Sequence, residues 1–341
     1  MNISKELEKI GITPGEKITV EEKNYIAKTA ANQLSESMHE LGDNYNEIYM
    51  RLFNCDIYRA QVDSKFNGVF YYYKNNAIYV DYAKNIKEMD DYIIHELIHY
   101  LQNFNHASKE DKRAGLCQFL EFKIFGLGLN EAIVQYLTAK AQFKKAHRVS
   151  NDRVTIVTNS EEYYKYITSL AIQILFLIGE SKAIDSCINS NDNFENELYN
   201  TFEENTEKIL KNFDLILDEN NKTVDKNEDR ITDIYMETQE LIYKTYFENM
   251  YKRVETIKEL DEQVQKLEDY ETIIGKELNT SIEEDDFLAF KKEMSSKFLN
   301  KYIKINRERT GNSLAVIYRN AIYNIWRKIQ NFIQTKIIRT K

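Results

Sequence analysis

A single proline, Pro14, and ten glycines in 341 residues leave this chain little that forces a turn or interrupts a helix. Proline breaks helix interiors most strongly and glycine comes next. An all-β sandwich or barrel needs a turn cluster roughly every 8–12 residues, and the residues for it are missing. Charged side chains make up 30% of the chain and hydrophobic ones 43%. That is enough apolar material to bury a core and enough charge to solvate long helix faces, so disorder is excluded and a mainly helical protein is expected.

One segment departs from the helical pattern. Val69-Phe70-Tyr71-Tyr72-Tyr73 and Ala77-Ile78-Tyr79-Val80 flank Lys74-Asn75-Asn76. Two β-branched and aromatic runs around a short polar turn predict a hairpin. Tyr45–Met50 has similar Tyr and Ile content and is expected to be extended, and no later segment gives a comparable strand signal. Helices are predicted over residues 1 to about 42, from Glu88 to Asn103, from about Asp111 to Phe125, from near Asn130 towards Lys145 with Asn130 as N-cap, and from about Glu161 to Ile178, where Gly179 stops the last. Beyond about residue 200, Met236, Tyr243, Met250, Ile257 and Val264 recur every seven residues and predict one amphipathic helix of some forty residues, closed by Gly275. The expected class is α+β, mainly helical, with residues 1–200 as one domain and 201–341 as a helical second one.

Cys55, Cys117 and Cys187 are far apart, without a CxxC pair. They form neither a disulfide framework nor a thiolate zinc site, and they suit a reducing compartment. The N-terminus lacks a signal-peptide apolar core, and the longest apolar run, Leu170–Ile178, is too short to span a membrane. A cytoplasmic protein is expected. Net charge is −9, unevenly spread: from Lys291 to Lys341 thirteen Lys and Arg stand against two Glu, a balance of +11, so the first 290 residues carry −20. Such an acidic body speaks against nucleic acid as a partner. Leu314, Ile317, Tyr318, Ala321, Ile322, Ile325, Trp326 and Ile329, flanked by Arg319, Arg327 and Lys328, predict a basic amphipathic helix. Packing on the acidic body is the favoured role, with a protein partner or a membrane surface as the alternatives.

Chemistry concentrates in His95-Glu96-Leu97-Ile98-His99. The chain has only five histidines, and two of them stand in this HExxH frame inside the amphipathic stripe of Ile94, Leu97, Ile98 and Leu101. Positions i and i+4 share a helix face, so His95 and His99 can present two imidazoles to one metal ion, while Glu96 lies about 100° around the helix and is placed to work on water. A catalytic zinc usually has three protein ligands. Asn105 and Gln102 occupy the positions where one class of HExxH enzymes places a third His and a Gly, which leaves a distant carboxylate. Glu121, 22 residues after His99, and Glu131, 32 after it, are both candidates.

HELIH followed by Gly128-Leu129-Asn130-Glu131-Ala132 resembles the gluzincin metallopeptidases, including the thermolysin-like ones. Their third ligand is the Glu of an Asn-Glu-Ala/Gly motif. The resemblance covers roughly Val69 to Gly179. It implies a zincin-like domain in which His95, His99 and Glu131 bind Zn2+, Glu96 is the general base and a peptide or protein is hydrolysed. Gln135 stands where thermolysin-like enzymes carry an acidic residue that orients a ligand His, and it can accept an imidazole N–H in that role. The same resemblance makes Asn76–Tyr79 an edge strand for an extended peptide and asks for a Tyr or His to stabilise the oxyanion. Tyr163, Tyr164, Tyr166 and His147 are available, and Tyr164, opening its helix, is the choice. A catalytically inactive zincin-fold scaffold acting through the C-terminal helices is the rival reading.

Overall fold

The structure, a computed structural model, describes residues 3–38, 45–103, 113–120, 123–150, 153–222, 224–275 and 286–310. The architecture is α+β and mainly helical, with three small sheets among the described residues. The chain divides into two compact units, Met1–Leu241 and Ile242–Lys341.

The first unit opens with helix α1 (Ile3–Ile10), strand β1 (Ile12–Lys17), helices α2 (Val20–Ser37) and α3 (Tyr45–Phe53), and strands β2 (Asp56–Val62), β3 (Val69–Tyr72) and β4 (Ala77–Asp81). Tyr45–Met50 is therefore helical and not extended. Its period emerges once Leu52 and Phe53 are included: Ile48 and Leu52 face inward, and Tyr45, Tyr49 and Phe53 stack at i, i+4 spacing. The hairpin of β3 and β4 forms as expected, pairing Phe70 with Tyr79 and Tyr71 with Ile78. It belongs to a four-stranded sheet of order β1-β2-β4-β3 in which β2 runs parallel to β4. The expectation that Asn76–Tyr79 lies on a sheet edge is thus corrected. β4 is interior, and β3 is the edge. The other edge, β1, holds the lone proline at an irregularity in its pairing with β2, where a missing N–H costs no ladder bond.

Helix α4 (Asp91–Asn103) follows. Asp90 caps it, its Oδ1 accepting the Ile93 N–H at 3.1 Å. Ile94, Leu97, Ile98 and Leu101 are buried, and the buried Arg51 guanidinium donates to the Leu101 carbonyl near the helix end. The helix expected over Asp111–Phe125 is replaced by three short strands, β5 (Arg113–Ala114), β6 (Cys117–Leu120) and β7 (Lys123–Phe125). Gly115 is the reason. It turns the chain between β5 and β6 at φ 57°, and a Cβ there would lie 2.3 Å from both Gln102 Nε2 and Asn130 Oδ1.

Helix α5 (Leu127–Ala141) starts at Gly126 rather than Asn130, which is buried inside its first turns. Strands β8 (His147–Ser150) and β9 (Thr155–Thr158) pair, and helix α6 (Lys165–Ile178) ends at Gly179 as expected. Helices α7 (Ser181–Asn189), α8 (Asn193–Phe202) and α9 (Thr206–Asn220) follow. α9 comes so close to α5 that a Cβ on Gly128 would meet the Phe213 backbone at 2.3 Å.

Helix α10 (Glu228–Arg253) runs across the division between the units, and α11 (Ile257–Ile273) and α12 (Asp286–Thr310) complete the second. The expected forty-residue helix is therefore two helices. Thr256 starts α11 with a capping box, its side chain accepting the Glu259 N–H while Glu259 accepts the Thr256 N–H. Tyr243 and Phe247 of α10, Tyr270 of α11 and Phe287 and Phe290 of α12 form the aromatic core of this unit. Lys291 joins it, paired with Glu268 and Glu271. The basic helix expected from Asn312 to Thr340 lies outside the described residues. Among the described residues no helix is long and apolar enough to cross a membrane.

Candidate metal centre

His95 and His99 project from one face of α4, and Glu131 projects towards them from α5. The ligand atoms of these three residues all lie within 4.8 Å of one another, the one such group of three among the described residues. His95 Nε2 is 3.2 Å from Glu131 Oε2 and 3.1 Å from His99 Nε2, which is in turn 3.3 Å from Glu131 Oε1. Glu121, the competing carboxylate, lies outside the described residues, as does His106.

The two Nδ1 atoms face away from this cluster, each towards a glutamine oxygen. His95 Nδ1 is 3.0 Å from Gln135 Oε1, and His99 Nδ1 is 3.0 Å from Gln102 Oε1. Neither amide can turn round freely. Gln135 Nε2 donates to Ser160 Oγ at 2.8 Å, and Gln102 Nε2 donates to Asn130 Oδ1 at 2.9 Å and to Cys187 Sγ at 3.0 Å. An acceptor at Nδ1 places the hydrogen there and leaves the Nε2 lone pair for the cluster. Asn130 Oδ1 also accepts the Leu116 N–H at 2.9 Å, tying the β5–β6 turn to the same network. The group can hold a metal ion.

In the absence of an ion the electrostatics are those of three close titratable groups. Burial would push the His99 imidazolium down, but the charge and hydrogen bond of Glu131 outweigh it and raise His99 to about 9. Burial likewise works to raise Glu131, and the two imidazoles win, holding its carboxyl far below the usual carboxylate range. Glu96 shifts up because burial dominates over the neighbouring histidines. Its Oε2 accepts the Tyr71 N–H at 2.9 Å, so strand β3 fixes the carboxylate.

Tyr163 and Tyr164 stand beside His95, and Tyr163 also packs edge-on against Tyr92 of α4. Tyr164 is the N-cap of α6 at φ 57°, a left-handed conformation that a Tyr rarely adopts. Its ring centroid is 6.4 Å from that of His95, while Tyr163 stands nearer, at 5.5 Å. Burial pushes both hydroxyls up, so both remain donors at neutral pH. His147 pairs with Glu161 on the surface, and Tyr166 packs on Tyr235.

Sequence reasoning did not assign roles to Gln102, Ser160 or the Tyr71 amide. Gln102 had a signal, since it lies three residues after His99 and seven after His95 on one helix face. Ser160 and Tyr71 are brought in only by tertiary structure. The cysteines are not part of the cluster: all three are free and buried, and burial raises each thiol, Cys187 to about 12. In comparisons with known proteins, no family model, curated protein or solved structure matches the chain.

Proposed function

We propose that this chain is a zinc-dependent metallopeptidase of gluzincin type, with His95, His99 and Glu131 as zinc ligands and Glu96 as general base. The observation that carries the reading is the convergence of two imidazole Nε2 atoms and one carboxylate within 4.8 Å, with each Nδ1 facing a fixed glutamine oxygen. Two neutral imidazoles and a carboxylate are a donor set zinc uses in catalytic sites. Zinc held there supplies Lewis acidity, which lowers the pKa of water towards neutrality and polarises a carbonyl.

The remaining steps belong to the chain's own residues. Glu96, anchored by the Tyr71 N–H, takes the proton of the attacking water and passes it to the leaving amine. Its burial-raised pKa brings it closer to the working pH of a base. Tyr164 donates a hydrogen bond to the developing oxyanion. The peptide lies extended along the outer edge of β3. There the Tyr71 N–H turns towards Glu96, and strand alternation sets the Val69 backbone on the same side.

Elemental analysis of wild type, Glu131→Ala and Glu121→Ala tests the metal assignment, and a peptide library assayed with wild type and Glu96→Gln tests the chemistry. The expected result is about one zinc per chain, lost with Glu131 and kept with Glu121. Glu96→Gln is expected to retain zinc and lose hydrolysis. A Glu96→Gln protein that still cleaves peptides overturns the mechanism. Zinc without turnover in wild type selects the scaffold reading.

A further inference from the structure

Ser160 is joined to His95 through Gln135, and its hydroxyl has a single hydrogen to place. Its Oγ is 2.6 Å from the Tyr163 carbonyl oxygen and 2.8 Å from Gln135 Nε2. A main-chain carbonyl only accepts, so the Ser160 hydrogen goes to Tyr163. Turned elsewhere, it would leave two oxygens facing each other at 2.6 Å with no proton between them. Ser160 Oγ then has only lone pairs to show Gln135, and the end of the amide that meets it must be the NH2.

The polarity carries one step further. With Nε2 on Ser160, Oε1 is the end of the amide left for His95 Nδ1, at 3.0 Å. A neutral imidazole has one N–H, and this acceptor draws it to Nδ1. Nε2 keeps its lone pair, directed at Glu131 and His99. The reversed amide would set Oε1 against the Ser160 lone pairs and Nε2 against Nδ1. That arrangement demands a lone pair at Nδ1 and a hydrogen at Nε2, and such an imidazole has nothing at Nε2 to give a metal. The two ends of a glutamine amide differ little in size, so packing alone does not choose between these settings. Ser160 chooses. It is 6% exposed and Gln135 is fully buried, so bulk water does not compete for either. Thr158 Oγ1 accepts the Ser160 N–H at 3.1 Å and donates to the Ser160 carbonyl at 3.3 Å, fixing the backbone that carries the hydroxyl at the end of β9.

We propose that Ser160 is a positioning residue for the candidate metal centre. Acting through Gln135, it relays the direction of the Tyr163 carbonyl to His95 and sets the imidazole tautomer that can bind metal. The inference rests on the metallopeptidase reading for the identity of the ligands, and it adds a residue that touches neither metal nor substrate.

The test is the zinc affinity of the full chain, read by competition against a chelator of known affinity, for Ser160→Ala in two backgrounds. In the otherwise wild-type chain the amide becomes free to reverse, and affinity is expected to fall about tenfold, the lower end of the loss when the support of a ligand His is removed. In the Gln135→Glu background either carboxylate oxygen accepts the Nδ1–H, so direction no longer matters. There the same substitution is expected to change affinity by less than about twofold. A Ser160 that only braced the Tyr163 turn would cost the same in both. Ser160→Thr keeps the hydroxyl and is expected to bind zinc within about twofold of wild type. Equal losses in the two backgrounds overturn the inference. Unchanged affinity in Ser160→Ala overturns it too, as does a Ser160→Thr loss as large as that of Ser160→Ala. Wild type that binds no zinc overturns it together with the ligand assignment. The expected pattern of affinities without peptide cleavage by wild type keeps the inference and removes the peptidase.

Discussion

Gln135 Oε1 faces His95 Nδ1 at 3.0 Å, so an amide holds the imidazole where a carboxylate would raise its basicity. Both types of acceptor fix the same tautomer; they differ in charge. Gln135→Leu removes the acceptor and is expected to weaken metal binding about 10- to 100-fold. Gln135→Glu is expected to strengthen it, provided Ser160 continues to hold the side chain. Competition against a chelator of known affinity reads both changes. Unchanged affinity in the Leu variant would show that the contact does not tune the site.

Gly115 is tied to the other histidine. Its φ of 57° suits glycine, and an added Cβ would lie 2.3 Å from Gln102 Nε2, the amide whose oxygen faces His99. Gly115→Ala is expected to destabilise the protein by more than about 1 kcal/mol, since alanine is strained at positive φ even before the clash. It should also loosen metal binding by displacing Gln102. Urea unfolding and the chelator assay measure the two effects. A stable variant with wild-type affinity would sink the link between the turn and the ligand.

How much of this was legible beforehand depended on the range of the interactions. The α4 stripe, the β3–β4 hairpin and the Gly179 stop each depend on neighbours a few residues away, and each follows from spacing. The β5–β7 strands are two to four residues long, too short to show a period, and only Gly115 marks the turn between the first two. A helix over this stretch would carry Gly115 in its interior, where glycine is disfavoured. The strand β2 and its parallel pairing to β4 arise from tertiary contact, which is why the hairpin's inner strand passed for an edge. At the candidate metal centre, His95 and His99 sit on one helix face by arithmetic alone. That Glu131 reaches them from α5 is a long-range fact, and so is the Tyr71 amide on Glu96.

The break between α10 and α11 carries its own prediction. The seven-residue repeat runs through it, so the period alone does not stop the helix; the Thr256 capping box does. Thr256→Ala removes the acceptor for the Glu259 N–H and is expected to cost about 1 kcal/mol. Thr256→Ser should cost much less, because the hydroxyl is kept. Chemical denaturation of the full chain compares the two. Equal stability of Ala and Ser variants would mean that the cap does not stabilise this junction.

The coupling of His99 to Glu131 sets the pH response of the metal-free protein. His99 is raised from its ordinary 6.5 to about 9 in the fold. The protonated imidazole is therefore stabilised by folding, so its contribution is complete below about 6.5 and disappears as pH rises through about 9. Glu131 shifts the other way: its contribution is present above its ordinary 4.5 and disappears as pH falls towards its depressed value. The raised Glu96 adds to the loss on the alkaline side of 4.5. Chelator-treated protein is expected to lose melting temperature steadily from pH 6.5 to 9.5. Glu131→Gln, which removes the charge that raises His99, is expected to be flatter over that window. Metal binding needs the imidazoles unprotonated, so the stabilisation gained on adding zinc should grow over the same range. A melting temperature flat from pH 6.5 to 9.5 in the chelated wild type would show that His99 titrates near its ordinary value and that Glu131 does not hold its proton.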